Sequence, residues 1–108
     1  MATILLVCAA GVSGTFLARR IAPSLPDVSF VVTTEQALDA VLVEADGVLL
    51  APQLAAAEDR IRARVAPRPL ALLSADAMSP AGSILAVDAV DAILQSLTGP
   101  LDLRSTDA

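Results

Sequence analysis

Residues 8–15 read CAAGVSGT: the chain's only cysteine, seven small or compact residues, and then the stretch FLARRIA, which has helical spacing. Gly11 and Gly14 let the backbone bend so that consecutive N–H groups turn towards one centre. Such a nest, backed by a helix N-terminus, holds an anion. Ser13 and Thr15 add hydroxyl donors to it. The same positive end favours the thiolate of Cys8, which is the nucleophilic form. A thiolate beside an oxyanion site suits a sulfur that carries, or attacks, a phosphoryl group. The other use of a free cysteine at a strand end is as a small buried hydrophobe. The loop by itself leaves both readings open.

The surrounding residues narrow the chemistry. A cysteine phosphatase needs an arginine six residues beyond the nucleophile to clamp the phosphate. That position is Gly14 here, and the first arginine downstream is Arg19. There is no obvious general acid for a leaving alcohol either, Asp76 in the last loop being the one left open. Without the arginine, transition-state charge rests on backbone amides and hydroxyls. That is enough to pass phosphate between two reactive carriers, and poorly suited to hydrolysing stable esters. A thioredoxin-like role fails for want of C-x-x-C.

Composition closes off other classes. The 108 residues carry net charge −5, with seven arginines and no lysine, so no basic footprint for nucleic acid is expected. The absent lysine excludes a Walker A loop. With no histidine and one cysteine, neither a metal site nor another cofactor is expected. A single cysteine forms no internal disulfide, in keeping with a reducing compartment. Mean hydropathy is high at +0.71. Yet Glu44, Asp46, Pro52 and Gln53 interrupt the most apolar region, and no run is expected to reach the roughly 18 residues of a membrane span. The start, MATILLVCAAG, has no basic residue ahead of its apolar stretch and does not read as a signal peptide. A cytoplasmic protein without direct membrane insertion is expected.

The elements that must position Cys8 follow from periodicity. Hydrophobic residues make up 56% of the chain and aromatic residues 2%, so the core has to be aliphatic. TILLVC (3–8) reads as a strand buried on both faces, VSFVV (28–32) as a second, VLLA (48–51) as a third and PLALL (69–73) as a fourth. Between them lie a helix through TFLARRIA, with Phe16, Leu17 and Ile21 inward and Arg19 and Arg20 towards solvent, a helix over EQALDAVLV capped by Thr33 or Thr34, and a helix over LAAAEDRIRARVA. A last helix places Ile84, Val87, Val90, Leu94 and Leu97 on one face and stops at Gly99 and Pro100. Strands alternating with helices predict one three-layer α/β domain over residues 1–100, a four-stranded parallel sheet of order 2-1-3-4 with helices on both faces. Residues 101–108 read as a frayed tail. In that order the switch point lies between strands 1 and 3, where such sheets bind their ligands. Cys8 ends strand 1, and Ala51, Pro52 and Gln53 end strand 3.

These residues also resemble a known family. ILLVCAAGVSGTFLARRI (4–21) is similar to the opening of the enzyme IIB component of the bacterial sugar phosphotransferase system, lactose/cellobiose (chitobiose) class, which reads I-x-L-x-C-x-A-G-M-S-T-S before a helix. ADGVLLAPQLA (45–55) is similar to that family's A-D-V-V-L-L-G/A-P-Q segment, and RPLALL and the closing Ala/Val-rich helix fall at corresponding spacings. The resemblance implies a phosphoryl carrier. Cys8 would take phosphate from the phosphohistidine of a IIA partner and donate it to a sugar held by the membrane transporter IIC. Ala9, Ala10, Gly11, Val12, Ser13, Gly14 and Thr15 would wrap the phosphate, with Pro52 and Gln53 behind them as supporting residues. The fold it implies is the one the strand pattern gives. No metal or organic cofactor enters, and no nucleic acid.

The chain departs from that family at named positions. M-S-T-S is replaced by Val12-Ser13-Gly14-Thr15, and Gly14 in place of a hydroxyl residue predicts a more mobile loop. The tyrosine after P-Q is replaced by Leu54-Ala55-Ala56, and the Y-G-x-x-D-G loop by Met78-Ser79-Pro80-Ala81-Gly82. A regulatory module that kept the fold and binds phosphate or a partner without relaying it is therefore the alternative, with a cysteine phosphatase third. Ser13 serves equally as a helix cap. Arg19 and Arg20 read as a solvated helix face or as contacts for an acidic partner near the loop.

Overall fold

The computed structural model describes residues 2–9 and 12–107. Four parallel strands form the sheet: β1 (Ala2–Val7), β2 (Val28–Thr33), β3 (Gly47–Leu50) and β4 (Leu70–Leu72), in the order β2-β1-β3-β4. The helices are α1 (Val12–Ile21), α2 (Leu38–Leu42), α3 (Glu58–Val65) and α4 (Ser83–Asp107). Short 3-10 turns occupy Ala22–Ser24, Pro52–Ala57, Ala75–Met78 and Pro80–Gly82.

The alternation of side chains along β1 divides the core in two. Ile4 and Leu6 pack with Leu17 and Ile21 of α1 and with Ala86, Val90 and Ile93 of α4. Leu5 and Val7 pack on the opposite side with Leu38 of α2 and with Ile61 and Val65 of α3. All four β1 residues are fully buried, as a strand covered by helices on both faces must be. Register pins Val7 opposite Thr33 on one side and Leu50 on the other. A one-residue slip would exchange the two cores.

The helices differ from their expected bounds in ways that have physical causes. α1 begins at Val12, three residues before the stretch the sequence pattern marks. Phe16 is 56% exposed and does not join Leu17 and Ile21 inside. Position 16 lies about 100° round the helix from position 17, which leaves room on the buried stripe for only one of them. α2 is short, because i→i+3 backbone bonds fold Thr34–Leu38 into a tight lead-in, where the Thr34 hydroxyl accepts the Ala37 N–H (3.3 Å). The expected helix over 54–66 is split at Ala57, whose backbone leaves helical geometry, into the Pro52–Ala57 turn, itself kinked at Leu54, and α3.

On α4 the buried face runs through Ala86, Val90 and Ile93, with Val87 and Leu94 half-buried against the same core, while Ile84 is 61% exposed; the inward stripe keeps Val90 and is otherwise turned by about one position from the expected one. Positions 84 and 86 lie about 200° apart round the helix, so the face that buries Ala86 turns Ile84 outward. The helix also runs on to Asp107, past the stop expected at Gly99 and Pro100. Leu94, Leu97 and Leu101 continue the helical spacing through that point, although Pro100 offers no N–H to the ladder. Against expectation, one helical stretch among the described residues, Pro80–Leu97, which joins the Pro80–Gly82 turn to α4, is long and apolar enough by length and mean hydropathy (1.2) to cross a membrane. It also carries Asp88 and Asp91, both exposed here, each costing about 2.5–3.5 kcal/mol at a bilayer centre.

Candidate functional site

The carboxyl ends of the strands form one edge of the domain. Cys8 follows directly on β1 there, and two backbone bonds hold it in line with its neighbours. Its N–H donates to the Thr33 carbonyl (3.0 Å), and the Ala51 N–H donates to the Val7 carbonyl (2.9 Å). Farther along, the Leu73 N–H reaches the Leu50 carbonyl (2.8 Å). The row at this edge is thus Thr33, Cys8, Ala51, Leu73. After Cys8 the chain turns one way, through α1 to β2, and later returns to the other side of β1 as β3. Cys8 therefore stands at the switch point of the sheet.

The sulfur itself is turned inward. Cys8 is 1% exposed, and its S–H points to the Thr33 carbonyl at 3.8 Å, the same oxygen that accepts its N–H. Thr33 was missed by sequence reasoning. Its position, at the end of a β-branched strand that pairs with β1, is the only signal that would have marked it.

Of the residues expected to wrap a phosphate, Ala9 is an exposed bend, and Ala10 and Gly11 lie outside the described residues. Val12, Ser13, Gly14 and Thr15 are not loop. They form the first turn of α1, whose leading N–H groups have no partner within the helix. The side chains of Val12 and Ser13 are outside the description as well. Thr15 is exposed.

Gly14 corrects the sequence reading most clearly. It is buried inside α1 rather than part of a mobile loop. A Cβ built on it would fall 2.7 Å from Cys8 Sγ, 3.0 Å from Val32 Cγ1 and 3.6 Å from Leu6 Cδ2. Glycine within a helix costs about 1 kcal/mol against alanine. Here the space an alanine methyl would take is already held by the sulfur.

The supporting residues are less closely engaged. Pro52 is half-buried at the start of the turn after β3, and Gln53 is exposed and makes no hydrogen bond with the described residues. The Ala51–Val7 bond brings that turn alongside Cys8. Asp76 is exposed in the turn after β4, two strands from β1 and so about 10 Å away across the sheet.

The two arginines of α1 sit in its last turn, near the negative end of the helix dipole. At 1.5 Å per residue, Arg19 is roughly 10 Å up the axis from Val12. Arg19 is exposed. Arg20 is not the solvated residue the pattern suggests: its guanidinium donates to the Met78 carbonyl (2.6 Å) and to the Ser83 hydroxyl (3.2 Å), tying α1 to the loop after β4. No cluster of three His, Cys, Asp or Glu side chains suited to a metal ion comes together among the described residues.

The charges of the domain gather on the far side of the sheet. Arg60 grips Glu35 through two hydrogen bonds (2.8 and 3.1 Å), and Arg64 pairs with Asp39 (2.8 Å) and lies 3.8 Å from Glu35. The Arg60 hydrogen bonds are the main reason the Glu35 carboxyl is held below its ordinary range. Partial desolvation opposes them, and the charges of Arg60 and Arg64 add to them. Searches with this chain matched no protein-family model and no curated protein.

Proposed function

We propose that this chain is a cytoplasmic phosphoryl carrier of the sugar phosphotransferase type. The Cys8 thiolate attacks the phosphorus of a IIA phosphohistidine in line, so that an S–P bond forms as the N–P bond breaks. A hydroxyl of the sugar held by IIC then displaces the sulfur, and an O–P bond replaces the S–P bond. The observation that carries the reading is the placement of Cys8: it ends β1 at the switch point of the sheet, just ahead of the N-terminus of α1. An S-phosphate at that edge would lie at the N-terminal end of α1, whose leading N–H groups and dipole favour an anion without metal or cofactor. Arg19 and Arg20 stand away in the last turn of α1, which disfavours phosphatase chemistry.

One observation favours the second reading, a phosphate- or partner-binding module that does not relay. The Cys8 sulfur is buried and occupied with the Thr33 carbonyl, and transfer requires it to reach a phosphorus atom.

Intact mass after incubation with phosphoenolpyruvate, the general phosphotransferase proteins and a lactose/cellobiose-type IIA separates the two. One added phosphoryl group on the wild type, absent from Cys8→Ser, is the expected result. No addition with several competent IIA donors would make the chain a binding module and Cys8 a residue of the fold.

A further inference from the structure

We infer that Gly14 is the positioning residue that keeps the Cys8 sulfur seated inside the domain, so that the side chain at position 14 sets how readily the thiol is offered at the sheet edge. The consequence for phosphate transfer rests on the carrier reading, whereas the seat itself is a matter of packing. Three observations meet at this point. The sulfur is 1% exposed although Cys8 lies at an edge where the chain leaves the sheet. Its S–H is directed back to the Thr33 carbonyl. The volume it fills is the one a side chain at position 14 would need, walled on the other side by Val32 and Leu6.

The seat is conditional, because its two sides differ in stiffness. Leu6 is held in β1 and Val32 opposite it in β2, and α1 is fixed by Leu17 and Ile21, both fully buried. The Cys8 sulfur is the free end of a single-torsion side chain. A methyl at position 14 therefore displaces the sulfur, or lifts the first turn of α1 away from it, and either response uncovers the thiol. Glycine at this position exchanges helix propensity for a covered nucleophile.

The test reads the thiol directly and needs no partner protein. Cys8 is the only cysteine, so the rate at which its thiolate displaces iodide from iodoacetamide reports this one atom. In the native wild type we expect alkylation about a hundredfold or more slower than in the urea-unfolded chain, and in Gly14→Ala about tenfold or more faster than in the native wild type. Gly47→Ala is the control for lost stability: its methyl would collide with Ile93 at the opposite end of the sheet, far from Cys8. If Gly14→Ala alkylates at the wild-type rate, or only as fast as Gly47→Ala does at matched thermal stability, the inference is overturned. Should Gly14→Ala not fold, the wild type still decides, since a native rate within about threefold of the unfolded rate leaves no seat to explain. Phosphorylation by IIA is scored separately. A fast-alkylating Gly14→Ala in a protein that never takes phosphate would sink the carrier reading and leave the seat standing.

Discussion

The two faces of the sheet are finished in different ways. Over α2 and α3 the apolar core is rimmed by charge: Arg60 and Arg64 reach across to Glu35 and Asp39, Arg62 pairs with Glu58 (2.6 Å), and Arg68 donates to the Ala45 carbonyl (3.0 Å). Over α1 and α4 no ion pair forms among the described residues. That face instead carries the buried thiol, the packed glycine, one arginine tether and three exposed apolar side chains, Phe16, Ile84 and Leu85. The charged side thus holds its helices together partly through ion pairs, although Val43, just past α2, is 81% exposed there. The other side has fewer polar contacts of its own, and it is the side that holds Cys8.

The largest effects come from β1, where neighbouring leucines face the two cores. Leu5→Ala and Leu6→Ala should each lower unfolding free energy by about 2–5 kcal/mol, measured by urea denaturation. They should differ in a second readout. Leu6 borders the space beside Gly14, so Leu6→Ala should speed Cys8 alkylation beyond what its lost stability explains, and Leu5→Ala should not. Equal acceleration in the two variants would mean that the faces are not independent.

A smaller change probes the one tether of the open face. Arg20→Ala removes bonds to Met78 and Ser83 and should cost about 1–2 kcal/mol, with lost hydrogen-exchange protection confined to residues 76–83. Arg19→Ala, two bonds poorer to begin with, should leave that segment unchanged. If both variants behave alike, the loop after β4 is held by its own 3-10 turns alone.

What the sequence made legible was whatever depends on short-range pattern. Four aliphatic runs separated by helical spacing give the strands and their alternation with helices, and the right-handed, parallel logic of such chains gives the order 2-1-3-4 that the structure has. Cys8 at the end of β1 was legible for the same reason. What escaped was set by partners distant in sequence. Gly14 looked like a loop glycine because nothing local shows that Cys8 Sγ and Val32 occupy its side-chain space. Arg20 looked solvated because its acceptors, Met78 and Ser83, lie about sixty positions away on another element. On α4 the apolar residues outnumber those a single face can bury, so periodicity alone could not choose Ala86 over Ile84 as the inward position.

The smallest predicted effect tests whether the charged rim is a seal or only a decoration. Glu35 is held by Arg60 and neighboured by Arg64, and its carboxyl titrates below the ordinary glutamate range in the folded chain. A carboxylate whose folded value is depressed binds protons less readily folded than unfolded. Its contribution is therefore complete above the unfolded value, about 4.3, and disappears as pH falls through the lower folded value. Wild type and Glu35→Gln should accordingly differ in thermal midpoint at pH 7 and converge on acidification below about 4. The gap at pH 7 should also shrink in 1 M salt, because exposed pairs are screened. The apolar cores offer no such titration, so Leu5→Ala should keep its penalty across the same pH range. A Glu35→Gln gap that survives to acid pH would place the residue's contribution in packing rather than charge, and the contrast between the two faces would then rest on the Arg64–Asp39 and Arg62–Glu58 pairs.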